Sequence, residues 1–260
     1  MAITLDLSEK VALVTMSTAG IGLSIAKRLV QAGVQGVILN GRDSARGAAA
    51  RDSLKDLGTN TDIVYVPGDL RDAGCLPKLF DLASQHWGGL DLYVSIGYVP
   101  GILEPFDNIA PDEYAATMRG LVLQFMEGAR HALPLMSARG GGAIVSVLSD
   151  AARVPTPGET VIGAALAAAA MFVRTLALEV ARRNIRVNAV TPSLVRETGQ
   201  YNAVMTTDFS RKIFERVAAK AGLGLPAADD VADLVLFLLS PRARHITGQV
   251  VSINGGVSVA

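Results

Sequence analysis

The stretch KVALVTMSTAGIG, residues 10–22, decides how the chain is read. Lys10 to Thr15 is a short apolar run rich in β-branched residues, which predicts a strand. Ser17, Thr18, Gly20 and Gly22 follow, and then the amphipathic stretch Ile21 to Gln31, which predicts a helix. Glycines at such a turn permit close backbone approach, and the amides at the helix start attract a pyrophosphate. A glycine pair alone is weak evidence. Its place after a strand and before a helix, in the first such unit of the chain, gives it weight.

Outward from this unit the same rhythm recurs. Gly36 to Asn40, Ile63 to Val66, Leu90 to Val94, Ala143 to Leu148, Arg186 to Val190 and Gln249 to Ile253 predict further strands. Ser44 to Leu57, Leu76 to His86, Pro111 to about Ser137, Gly158 to Arg183 and Ala228 to Leu239 predict helices, with Pro111 where a first-turn proline is tolerated. Alternation at this spacing implies right-handed β-α-β units. The expected fold is a single-domain α/β Rossmann fold over residues 1–260, a doubly wound parallel sheet of about seven strands with helices on both faces. Residues 198–225 break the rhythm after a strand's carboxyl end. Ligands of open α/β sheets bind there, so the segment is expected to be a substrate lid, with an ordinary surface helix pair as the alternative.

Half of the 260 residues are hydrophobic and 18% are charged, which predicts a large core and apolar surface buried between subunits of a homodimer or homotetramer. The 24 basic and 24 acidic residues cancel without a basic stripe, so neither nucleic acid nor a membrane is expected as a partner, and the partner expected is a small-molecule substrate. The N-terminus lacks the pattern of a secretory signal, so the expected location is cytoplasmic. Cys75 is the single cysteine and no Cys/His spacing suggests a metal. The longest apolar run, Val161 to Val173, is stopped by Arg174 and is too short to span a bilayer; it reads as a buried helix.

The chain resembles the short-chain dehydrogenase/reductases. The resemblance is carried by Gly20-Ile21-Gly22, Gly68-Asp69-Leu70, Ala132-Leu133-Pro134-Leu135-Met136, Ile185-Arg186-Val187-Asn188-Ala189-Val190, Pro192, Ile246-Thr247-Gly248-Gln249 and Gly255-Gly256. It implies a nicotinamide dinucleotide held by Ser17, Thr18, Gly20, Ile21, Gly22, Arg42, Asp69, Leu70, Ser95, Pro192 and Val195. Asp69 would contact adenine; a turn-forming role is the alternative. Members preferring NAD(H) carry an acid where this chain has Gly41, whereas Arg42 can bond a 2'-phosphate, so NADP(H) is expected over NAD(H). A solvated surface charge is the other reading of Arg42. Met16 replaces the family's first glycine and is expected to crowd the turn or the adenosine side of the pocket. The resemblance also implies that the Gly158–Arg183 and Pro111–Ser137 helices pair across a two-fold axis.

The same resemblance places a substrate-polarising serine at Ser149, a proton-donating tyrosine at Ile162, its lysine partner at Leu166 and a relay asparagine at Leu121. Leucine and isoleucine neither donate nor accept protons, so the family's usual mechanism is closed to this chain. Tyr98, Tyr201 and Glu159 are substitute candidates, with pocket lining as the alternative for the tyrosines. The carboxamide-binding threonine falls at Glu197 or Thr198. Three readings follow: an NADP(H)-dependent oxidoreductase with an unusual proton source, a nucleotide-binding or interaction protein with impaired catalysis, and a non-redox lyase or isomerase in the same cleft.

Overall fold

The structure is a computed structural model describing residues 5, 7–97 and 103–259. The strands are β1 (Val11–Val14), β2 (Gly36–Gly41), β3 (Asp62–Pro67), β4 (Leu92–Ile96), β5 (Gly142–Val147), β6 (Ile185–Pro192) and β7 (Val250–Ile253). They form one parallel seven-stranded sheet in the order β3-β2-β1-β4-β5-β6-β7. The helices are α1 (Gly20–Gln31), α2 (Ser44–Lys55), α3 (Cys75–Trp87), α4 (Pro111–Met118), α5 (Gln124–Ala138), α6 (Thr160–Val180), α7 (Gly199–Val204), α8 (Asp208–Lys220) and α9 (Ala228–Leu239). The chain winds one way from β1 to β3 and the other way from β4 to β7. That reversal opens a crevice at the carboxyl ends of β1 and β4, the place where such sheets bind ligands.

Both faces of the sheet are covered, so β1 and β2 are buried throughout, and β1 reads as an unbroken apolar run. One core joins Leu79, Phe80, Phe125, Ala129, Ala169 and Val173 from α3, α5 and α6. The opposite core joins Ile25, Leu29, Val231, Val235 and Leu238 from α1 and α9. Phe125 is fully buried, and truncating such a side chain costs about 3–5 kcal/mol. A third cluster, Leu103, Leu194, Val204 and Phe214, fastens α7 and α8 over the carboxyl edge, so residues 198–225 form a packed pair of helices. Thr198 and Thr207 start them by accepting hydrogen bonds from Tyr201 N and Ser210 N.

Two elements differ from their sequence reading. The helix expected over Pro111–Ser137 is interrupted by a π turn, Arg119–Leu123. Gly97 explains the site of the slip: a Cβ there would lie 2.7 Å from the Gly120 carbonyl oxygen, so strand end and helix touch backbone to backbone. The α6 helix runs through Arg174 as expected; Leu176, Ala177 and Val180 continue its buried face, and left-handed Asn184 (φ 56°) closes the turn Ala181–Arg183. Thr160–Arg183 is thereby long and apolar enough, by length and composition, to cross a membrane. In this fold Leu166, Ala169 and Val173 lie in the core, while Met171 and Leu178 are exposed. Finally, β4 begins at Leu92 rather than Leu90, because pairing with β5 starts at Leu92 opposite Ala143.

Candidate functional site

The glycine turn keeps its shape without its first glycine. Met16 adopts the left-handed region (φ 49°), and its side chain packs on the α3–α5–α6 core. A non-glycine residue there stores backbone strain. Gly22 is sterically required: a Cβ would run into the Met16 carbonyl oxygen and lie 2.9 Å from Ser17 Cα. Helix α1 begins without a side-chain cap and without an acid in its first turn, leaving its amides for an anion. Ile21 packs on the α1–α9 core. Ser17 is fully buried; its hydroxyl donates to the Val14 carbonyl (2.8 Å) and accepts from Asn40 N (3.0 Å), so it builds the frame of the turn.

Asn40 was missed by sequence reasoning. It is fully buried, and its amide donates to the carbonyls of Gly68 (3.2 Å) and Val66 (3.4 Å), tying the ends of β2 and β3 together beside the turn. At β2's end, a Cβ on Gly41 would meet Thr18 Cγ2 at 2.6 Å and Oγ1 at 2.8 Å. A side chain at position 41 would therefore have to displace the Thr18 side chain. Arg42, 55% exposed, reaches to 3.7 Å from Asp69, and Arg71 grips the same carboxylate at 2.6–3.1 Å. The hydrogen bond from Arg71 holds the Asp69 carboxyl below its usual range, with the Arg71 and Arg42 charges adding. Two guanidinium groups and one carboxylate thus stand at the end of β2 and β3, above buried Leu70 and beside a cavity of about 110 Å³ lined by Pro67, Gly68, Asp69 and Cys75.

Across the crevice, Ser95 is fully buried and accepts from Gln124 Nε2 (3.2 Å). Pro192 and Val195 are buried at and just beyond the end of β6. Of the two positions for a carboxamide contact, Glu197 is exposed and left-handed (φ 61°), whereas Thr198 is buried, with its methyl 3.7 Å from where a Gly20 Cβ would be. Thr198 therefore faces the glycine turn. Ser149 stands at the end of β5 and accepts from Ala151 N at 3.4 Å. Leu166 (3% exposed) and Leu121 (6% exposed) are core residues, and Ile162 joins that core to the cluster under α7 and α8. Tyr201 belongs to the same cluster; Tyr98 lies outside the described residues. His86 pairs with Asp62 and His131 stacks on Phe80, both away from the crevice.

Residues 15–258 match the family model described as enoyl-(acyl carrier protein) reductase. The chain belongs to the short-chain dehydrogenase/reductase family. Dehydrogenase/reductase SDR family member 4 of Homo sapiens is 33% identical over 251 residues, covering 96% of this chain and 88% of that protein. Among solved structures of the family, L-sorbose reductase from Gluconobacter frateurii, complexed with NADPH and L-sorbose, superposes with a TM-score of 0.90 at 28% identity, over 99% of this chain and all of that one. A 7α-hydroxysteroid dehydrogenase complexed with NADH and 7-oxo glycochenodeoxycholic acid gives 0.89 at 27%, over 97% and 96%. An NADPH-bound short chain oxidoreductase from Pseudomonas aeruginosa PAO1, described as containing an atypical catalytic center, gives 0.86 at 28%, over 98% and 99%.

As a short-chain dehydrogenase/reductase, the chain is of an oxidoreductase family whose structural neighbours bind NADPH or NADH. Its residues fit a nicotinamide dinucleotide: an uncapped helix start for the pyrophosphate, cationic groups at the adenosine end, and Thr198 opposite the turn. When bound, that group supplies or accepts hydride; the chain's part is to orient it, exclude water and handle the proton.

Proposed function

We propose that this protein is an NADP(H)-dependent oxidoreductase acting on a carbonyl or hydroxyl of a small-molecule substrate through a non-standard active site. The observation that carries the cofactor preference is the end of β2, where Thr18 occupies the space an acidic side chain would need and Arg42 stands next in the chain. A 2'-phosphate there gains charge-assisted hydrogen bonds and meets no carboxylate at position 41. The non-standard site is supported by the apolar Leu121, Ile162 and Leu166, and by the neighbour whose description joins NADPH to an atypical catalytic center. Ser149 remains to polarise a carbonyl oxygen. The α7–α8 pair, resting on Leu103, Leu194, Val204 and Phe214, serves as the lid that excludes water. Exposed Leu123, Met171 and Leu178 support a homodimer or homotetramer, and the expected location is cytoplasmic.

Calorimetric titration with NADPH and NADH tests the cofactor, and a panel of aldehydes and ketones tests turnover. Tighter binding of NADPH by tenfold or more, with oxidation of NADPH by at least one carbonyl class, is expected. Failure to bind either dinucleotide would refute the reading. The burial of Leu121 and Leu166 within the core favours a second reading, a nucleotide-binding protein without turnover. It predicts tight NADPH binding and no oxidation across the panel.

A further inference from the structure

Glu159 stands where the loop after β5 enters α6. Its carbonyl accepts the Gly163 N–H at 2.6 Å, so the residue keeps the helical register although its own torsions (φ −111°, ψ 27°) lie outside it. In that register Glu159, Ile162 and Leu166 are spaced i, i+3 and i+7, one face of the helix. On that face Ile162 contacts both the core and the cluster beneath the α7–α8 pair, at the carboxyl side of the sheet. The preceding Gly158 is enclosed from above: a Cβ there would lie 2.8 Å from the Phe209 ring of α8 and 3.6 Å from Glu104 N. Glu159 is half-buried at the entry to α6, whose first turn backs onto the Asp150–Ala152 turn (a Cβ on Gly163 would lie 3.1 Å from the Ala151 carbonyl oxygen), and it follows the Gly158 that α8 covers.

We propose that Glu159 is the proton carrier of this active site, passing its proton to a substrate carbonyl oxygen as hydride reaches the carbonyl carbon. The proposal rests on the reading of the crevice as a nicotinamide site. The carboxyl O–H breaks as the new alcohol O–H forms, and the hydride comes from C4 of the reduced nicotinamide, which becomes oxidised. Glu159 is left as a carboxylate and recovers a proton from solvent; the reverse direction runs the same steps backwards.

Its surroundings suit the role. Burial pushes the Glu159 carboxyl up to about 7, a hydrogen bond with Thr156 opposes the rise, and the Asp150 charge adds to it. Asp150 itself is paired with Arg153 (3.2 Å) and accepts from Ser252, Asn254 and Ser258. The other charged groups on the elements packed around Glu159 are Glu104 on the loop leading to α4, and Asp208 paired with Arg211 at the start of α8. Among the described residues no Lys or Arg forms an ion pair with Glu159 that would hold it ionised.

The test compares binding of NADP+ and NADPH by calorimetry at pH 7 in two buffers of different ionisation heat, for wild type and Glu159→Gln. The oxidised ring is cationic and lowers the pKa of an adjacent carboxyl, so wild type should release a larger fraction of a proton on binding NADP+ than on binding NADPH. Glu159→Gln should abolish the difference. Equal release in wild type, or a difference that survives in Glu159→Gln, would overturn the role of Glu159 while leaving the cofactor reading intact; binding of neither nucleotide would overturn both. With a carbonyl substrate, kcat for reduction should fall as pH rises through about 7. Glu159→Gln should lower kcat by about 10²–10⁴-fold with NADPH affinity unchanged. An unchanged kcat would overturn the proposal.

Discussion

Glu159→Gln also makes a prediction for the protein without any ligand. The carboxyl rises from its ordinary 4.5 to about 7 in the folded state because burial disfavours the charged form. At about 1.4 kcal/mol per pH unit, that rise amounts to at most about 3.5 kcal/mol. Below pH 4.5 the group is protonated in both folded and unfolded chains and its effect is fully favourable. Between 4.5 and 7 the unfolded chain loses its proton first, so stability declines as pH rises through the folded pKa and stays reduced above it. Glutamine keeps the shape and the Thr156 hydrogen bond but never ionises. The two proteins should therefore unfold at nearly the same urea concentration at pH 4.5, and Glu159→Gln should be the more stable by up to about 3.5 kcal/mol at pH 8. A stability difference that does not change across this range, or a glutamine variant weaker at pH 8, would refute the reasoning.

Arg42→Ala should weaken NADPH binding by about tenfold or more and leave NADH nearly unchanged, since only the 2'-phosphate loses a charged partner; calorimetry reads both. Asp91, 2% exposed, accepts from Val11 N (2.9 Å), Lys10 Nζ (3.1 Å) and Arg139 Nε (2.8 Å). Asp91→Ala leaves the Arg139 guanidinium, 24% exposed, without its carboxylate, and should cost about 3 kcal/mol by urea denaturation. Met16→Val places a β-branched residue at φ 49° and should lose about 1–3 kcal/mol, whereas Met16→Gly, which relieves the backbone while losing packing, should cost less than Met16→Val in the same assay.

The adenosine end shows how much of a site a linear reading can find. Arg42 and Asp69 carry their chemistry on their own side chains and follow predicted strands, so type and position sufficed to mark them as candidates. Asn40 sits two residues before Arg42 and escaped notice, because its partners come from residues 66 and 68 and its importance lies in being sealed from water. Ser17 is expected at the cofactor on the strength of its place in the turn; the structure adds that its hydroxyl bonds to Val14 and Asn40. Arg71 was not singled out, since nothing in the sequence says that it folds back onto a neighbour two residues away.

The alternation of short β-branched runs with amphipathic segments was enough to determine the sheet, its parallel sense and the glycine turn, because backbone periodicity and local sterics act over a few residues. Tertiary structure alone decided that Met16 turns its side chain into the core, that Thr198 rather than Glu197 faces the glycine turn, and that the helix after Pro111 slips by a π turn against Gly97. It also decided the state of Glu159. A carboxyl's proton affinity depends on the water and charges around it, and those are supplied by Asp150, Thr156 and the enclosing α8 helix, groups that the fold assembles.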